Sequence, residues 1–108
     1  MAYYQANSYT TTGTKASINL DPSVTPFAVS VACTLEGAAT GTYSMQFSLS
    51  PMTIADADAL WLTSGDVPVG TTTNAGSLFT SPVSRVRLVI AAVSGTLTIQ
   101  TLQGLSTN

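Results

Sequence analysis

Over residues 27–35 every second side chain is apolar. Phe27, Val29, Val31, Cys33 and Leu35 alternate with Ala28, Ser30, Ala32 and Thr34. A period of two sends the two sets to opposite sides of a pleated strand, so this segment predicts a strand with one buried face. Residues 42–50 repeat the pattern, with Tyr43, Met45, Phe47 and Leu49 inward and Thr42, Ser44, Gln46 and Ser48 outward. The intervening residues 36–41 make the turn of an antiparallel hairpin with one wet face.

Weaker alternations flank this pair. Ala16, Ile18 and Leu20 predict a strand over 15–20, ended by the turn signal Asp21-Pro22-Ser23. After Pro82, Val86, Leu88 and Ile90 point one way and Arg85, Arg87, Val89 and Ala91 the other, predicting a long strand over 83–93. Ser94-Gly95 turns the chain into a last strand over 95–103, with Leu97 and Ile99 inward. Between these blocks, residues 51–62 read as an irregular crossover with one loose helical turn at most, leading into a short strand around Trp61. A short strand is expected over 67–73, and Asn74-Ala75-Gly76 reads as a loop tip. Residues 1–14 keep no period. They read as a frayed terminus, or as a flexible arm that orders on a neighbour through Tyr3, Tyr4 and Tyr9.

Turn signals at intervals of roughly eight to twelve residues are the rhythm of a sandwich or small barrel. No linker, charge block or long repeat divides the chain. The expectation is one all-β domain over 15–108, an antiparallel β-sandwich of about seven to eight strands, preceded by the arm. Composition agrees. The chain is rich in Thr, which favours pleated surfaces, and poor in strong helix formers such as Lys, Glu and Arg.

Charge changes the functional picture. The 108 residues hold three cations, five anions and no histidine. Without histidine, Ser and Cys lack the usual base that would activate them, so no catalytic residue is assigned and the chain is not expected to be an enzyme. Cofactors and metals are not expected either. Asp56-Ala57-Asp58 resembles the start of a calcium loop but lacks the glycine and closing glutamate that complete one, and it reads as a solvated turn. A net charge of −2 argues against nucleic acid and anionic membranes as partners. The longest apolar run, 88–93, is too short to cross a bilayer, and no secretory signal is visible, which points to synthesis in a cytoplasm. Cys33, the single cysteine, reads as a buried thiol. Trp61, between Leu60 and Leu62, reads as core rather than as a sugar platform. Arg85 and Arg87 read either as gatekeepers against aggregation or as interface contacts to a partner's carboxylates.

TYSMQFSLS (42–50), ALWL (59–62), the NAG, LF and SPV succession (74–83) and SRVRLVIAAVSGTLTIQTLQG (84–104) together carry a resemblance. Over 42–104 the chain resembles small virion structural proteins of tailed bacteriophages, of the head decoration or cement type. The resemblance implies a jelly-roll sandwich on the outer capsid surface, docked on the major capsid protein as a homo-oligomer, a trimer or dimer. Tyr3, Tyr4, Tyr9, Arg85 and Arg87 are then the candidate interface residues. A tail, baseplate or fibre-base protein, or a host-surface or carbohydrate-binding module, is the alternative.

Overall fold

The structure is a computed structural model that describes residues 2–20, 27–51 and 53–104. Among these, nine strands form: β1 (Ala2–Tyr9), β2 (Gly13–Thr14), β3 (Ile18–Asn19), β4 (Val29–Leu35), β5 (Thr40–Ser48), β6 (Trp61–Thr63), β7 (Ala75–Phe79), β8 (Arg85–Ser94) and β9 (Leu97–Gly104). All pairings are antiparallel. One sheet runs β1-β9-β4-β7. In the other, β8 is flanked on one side by β5 and then β6, and on the other by β2 and β3. With β2 and β3 counted as one interrupted strand, the first, eighth, third and sixth strands share one sheet and the second, seventh, fourth and fifth share the other. That is the double Greek key of a jelly roll. The expected all-β sandwich is what the chain forms.

The alternations explain the core. Val29, Val31 and Cys33 of β4 and Leu97 and Ile99 of β9 face Tyr43 and Met45 of β5 and Val86, Leu88 and Ile90 of β8, all buried in one cluster. The long β5–β8 ladder shifts register between Thr42 and Tyr43: Tyr43 opposes Ile90 while Thr42 opposes Ala92, which leaves Ala91 unopposed. Such a bulge bends a strand and strengthens its twist. The turn between β8 and β9 needs its glycine. Gly95 has a φ of 95°, and a Cβ there would stand 2.6 Å from the Cβ of Ala39, so any side chain would meet both backbone strain and a clash.

Several expectations are corrected. Residues 2–9 are not a separate arm: they pair along their whole length with β9, from Ala2 opposite Gly104 to Tyr9 opposite Leu97. Apolar periodicity missed this strand because β1 is an edge strand in which Tyr4 and Tyr9 fall on opposite faces among small and polar residues. Residues 15–20 hold only the short β3, with β2 just ahead of them, although the backbone stays close to β8 through Lys15 N–H to Leu88 O and Leu20 N–H to Ser84 O. Residues 67–73 form no strand. Val67 is buried and accepts the Met45 amide, and Thr71 makes an isolated bridge to Tyr43. Ala75 and Gly76 open β7 rather than tip a loop. Leu49, expected inward, lies one residue past the end of β5 and is exposed. The Asp21-Pro22-Ser23 turn lies outside the described residues.

Candidate functional site

The sandwich presents two outer faces of opposite character. On the five-stranded sheet, Arg85 and Arg87 point outward as their alternation with Val86 and Leu88 requires, but neither is free. The loop between β5 and β6 folds over Arg85, leaving it 3% exposed. One guanidinium nitrogen donates to Asp56 Oδ1 at 2.6 Å; the other donates to the carbonyls of Pro51 and Ile54 at 2.8 and 2.7 Å. The planar fork of arginine suits this task, since it satisfies a carboxylate and two carbonyls at once. Ser17 donates to the same Asp56 oxygen at 3.0 Å, the Trp61 indole donates to the Asp56 carbonyl at 2.9 Å, and Ser50 Oγ accepts from the Leu60 amide at 3.0 Å. Partial burial pushes the Asp56 carboxyl up, but hydrogen bonds from Ser17 and Arg85, with the charge of Arg85, outweigh it and hold the group below its ordinary range.

Trp61 is therefore not core, as its flanking leucines suggested. It stands half-buried on the outer face, and the Arg87 guanidinium lies 3.9 Å from its ring centroid, held by a 2.8 Å bond from Arg87 Nε to Gln46 Oε1. A cation occupies one side of the indole that a sugar ring would need. Asp56 is a salt-bridge partner rather than a solvated turn residue. Arg85, singled out as an interface candidate, spends these hydrogen bonds within the chain.

The outer face of the four-stranded sheet is the contrast. Its register sets one row across all four strands: Tyr4 opposite Leu102, Leu102 opposite Ser30, Ser30 opposite Leu78. The next row is Ala6, Gln100, Ala32 and Gly76, and beyond it Ser8, Thr98 and Thr34. Tyr4, Leu102 and Leu78 are 58%, 48% and 61% exposed. None of these residues is charged. A depression of about 200 Å³ is lined by Tyr4, Ser30, Ala32, Gln100 and Leu102 among others. Small side chains in the second row keep the middle of the face low, while the first row raises apolar groups above it. Such a face can pack against protein with little desolvation cost, because it holds no ion to strip of water.

An apolar rim continues past β7. Leu78 and Leu49 share one depression, and Leu49 shares another with Leu60 and Leu62. Beneath them Phe47 and Phe79 close the sandwich edge with ring centroids 5.4 Å apart. Sequence reasoning missed Leu78 and Leu102 as surface residues. The signal was present, since a leucine in antiphase with the buried set of its own strand must face out.

Of the tyrosines singled out from the sequence, Tyr4 is on the uncharged face. Tyr9 packs against the core with Lys15 5.5 Å from its ring centroid. The side chain of Tyr3 lies outside the described residues. Cys33 is buried, and burial pushes its thiol up to about 12. The native protein should therefore resist thiol reagents at mildly alkaline pH and react with one equivalent only after unfolding. Rapid labelling of folded protein would contradict this burial.

No protein-family model matches the chain, and no curated protein matches it. Among solved structures, a chain from Bacillus endospore appendages, a family of disulfide-linked pili, is similar with a TM-score of 0.52 and 17% identity, over 98% of this chain and 88% of that one. At that identity the likeness speaks to the fold, and the same sandwich architecture spans nearly the whole of both chains.

Proposed function

We propose that this chain is a non-catalytic structural subunit of a larger protein assembly, displayed on the outside of a particle. At a finer level we infer a decoration or cement protein of a tailed-bacteriophage head, bound to the major capsid protein. One observation carries the assembly reading: a whole sheet face without charge, on which Tyr4, Leu102 and Leu78 stand exposed. Exposed apolar side chains gathered on a face that holds no ion are suited to being covered by protein. The jelly roll is an architecture of viral capsid and lectin domains. Fold alone does not assign function, but the resemblance of 42–104 to decoration proteins favours the virion. The lectin-like reading is disfavoured by Arg87 over Trp61.

The physics of cementing would be multivalent. Individually weak contacts suffice when a bound oligomer meets its further sites at high effective concentration. Binding the assembled shell in preference to its separated subunits stabilises the shell by mass action. The pilus likeness favours a second reading, a subunit of a surface filament. Linkage by disulfides, the property of that family, would here have to use Cys33, which is buried in the core.

The test is binding to particles. Capsids lacking the protein are mixed with purified chain, and survival on heating and the position of the label by electron microscopy are read. Docking on the head with raised heat resistance supports the reading, and Leu102→Glu should weaken that binding at least about tenfold while leaving the fold intact. Label on the tail, or shells equally stable with and without the chain, would remove the cementing role. Self-assembly into filaments without any particle would favour the second reading.

A further inference from the structure

The four edges of the two sheets are unequally protected. β6 is only three residues long. The β2/β3 edge is broken into two pieces of two residues each, with Lys15 between them donating to Thr11 Oγ1 and the Thr12 carbonyl. β7 has five residues, and the preceding loop is fastened to it through Ser77 Oγ to Asp66 at 2.8 Å. Short strands, breaks and lysines are devices that stop a sheet edge from pairing with another chain. β1 has none of them. It is eight residues long, paired with β9 at every position without a register shift, and its sequence AYYQANSY contains no charge and no proline. As the terminal strand of its sheet it turns alternate N–H and C=O groups away from β9.

We propose that this open edge pairs antiparallel with β1 of a second copy of the chain, joining two four-stranded sheets into one of eight strands about a two-fold axis. The symmetry is permitted by the strand itself. Residues directly opposite in an antiparallel pair point to the same side. A two-fold axis perpendicular to the sheet therefore passes beside a residue opposite its own copy, either Gln5 or Ala6. The first register sets Tyr4 opposite Ala6, and the second sets Tyr4 opposite Ser8. Both registers keep Tyr4, Ala6 and Ser8 on the outer side in each copy. Neither brings like charges together, because the strand has none and the nearest cation, Lys15, is held by Thr11, Thr12 and the Tyr9 ring. On the inner side Gln5 donates to the Asn19 carbonyl at 2.8 Å, tying this edge to the second sheet, and among the described residues no strand pairs with the outer rim of β1. An isologous contact of this kind closes on itself and gives a dimer rather than a fibre. The two uncharged faces then merge into one continuous surface, with Tyr4 and Leu102 of both copies near the axis.

This pairing deepens the assembly reading and rests on it for the local concentration that favours self-contact. Sedimentation equilibrium of the full chain across the micromolar range tests it, alone and with Ala6→Lys and Ser8→Lys together. Both positions are exposed on the outer side, and the substitution gives up only the 2.9 Å bond between the Ser8 and Thr98 hydroxyls on that side. The expected mass is about twice 11.1 kDa for the unaltered chain. The double variant should dissociate at least about tenfold more readily, with an unchanged circular dichroism spectrum. A monomer throughout, or a dimer indifferent to the lysines, overturns the proposal. If the lysines unfold the chain, amide exchange in the unaltered protein decides. Protection at alternate β1 amides that rises with concentration supports the pairing, and protection independent of concentration overturns it. A monomer that still binds capsids through Leu102 removes the pairing and leaves the docking face standing; a dimer that binds no particle does the reverse.

Discussion

Leu88→Ala should lower the unfolding free energy by about 3 kcal/mol, within the range of about 2–5 found for leucine truncation in packed cores. Leu88 is 1% exposed, opposite Met45, in the strand that holds its sheet together. β8 carries β5 on one side and both β2 and β3 on the other, and the Leu88 carbonyl accepts the Lys15 amide. Its side chain therefore sits where the core is least able to collapse into a void. For a domain of this size each kcal/mol moves the thermal midpoint by about 4–8 °C, so calorimetry should find a fall of about 12–24 °C. A fall under about 5 °C would mean that the core relaxes around the missing atoms, contrary to the packing described. Ala91, exposed at the bulge of the same strand, is the natural control. Ala91→Ser should change the midpoint little, since surface substitutions of this kind usually stay within about 0.5 kcal/mol.

Arg85→Ala should cost about 2–3 kcal/mol and release the loop over the five-stranded sheet. Removing one partner of a fully buried ion pair is more damaging than that. Here, however, Asp56 keeps 38% of its side chain in water, so solvent takes over part of what the guanidinium supplied. What remains is the loss of charge-assisted bonds to Asp56 and to two loop carbonyls, with the packing of a buried stem. Because the Trp61 indole bonds to the Asp56 carbonyl, tryptophan emission should shift to longer wavelength in the variant. Arg85→Lys should recover little, since one ammonium cannot span the three acceptors. The pH dependence has a definite sign. The Asp56 carboxyl lies lower in the folded chain than in the unfolded one, so its contribution is fully present above the unfolded value near about 3.9. It is lost as pH falls through the folded value. Acid titration of stability should therefore be shallower below about pH 4 in Asp56→Asn than in the unaltered chain. Identical slopes would show that the bond to Arg85 does not couple to folding.

The parts of this architecture that were legible in the sequence are those where one side of a strand is buried and the other wet. β4, β5, β8 and β9 announce themselves because Val29, Val31, Met45, Leu88 and Ile99 sit in strict alternation. β1, β2 and β7 did not, and β3 was read longer than it is, for a common reason. At a sheet edge a strand buries less, so Gln5, Asn7 and Ser77 are tolerated where a central strand would demand valine. Arg85 shows another limit. Its outward direction was readable from the alternation, but its burial depends on Pro51, Ile54 and Asp56, which fold back over it. The same holds for Trp61, whose partner Arg87 lies two strands away and twenty-six residues on. Long-range covers of this kind leave no periodic trace. The uncharged face was half legible: eight charges in the whole chain leave most of the surface without ions, but only the register shows Tyr4, Leu102 and Leu78 in one row.

The pairing of the first strand with the last constrains how this protein comes into being. During translation β1 leaves the ribosome early and waits, because the segment it must lie against, 97–104, is the end of the described chain. The second sheet can gather sooner, since β5, β6 and β8 are all synthesised before β9. Joining β1 to β9 cannot precede the synthesis of 97–104, and pairing across so long a separation in sequence is slow. Until then the nascent polypeptide carries an unpaired, neutral ribbon, the kind of strand that pairs readily with another chain.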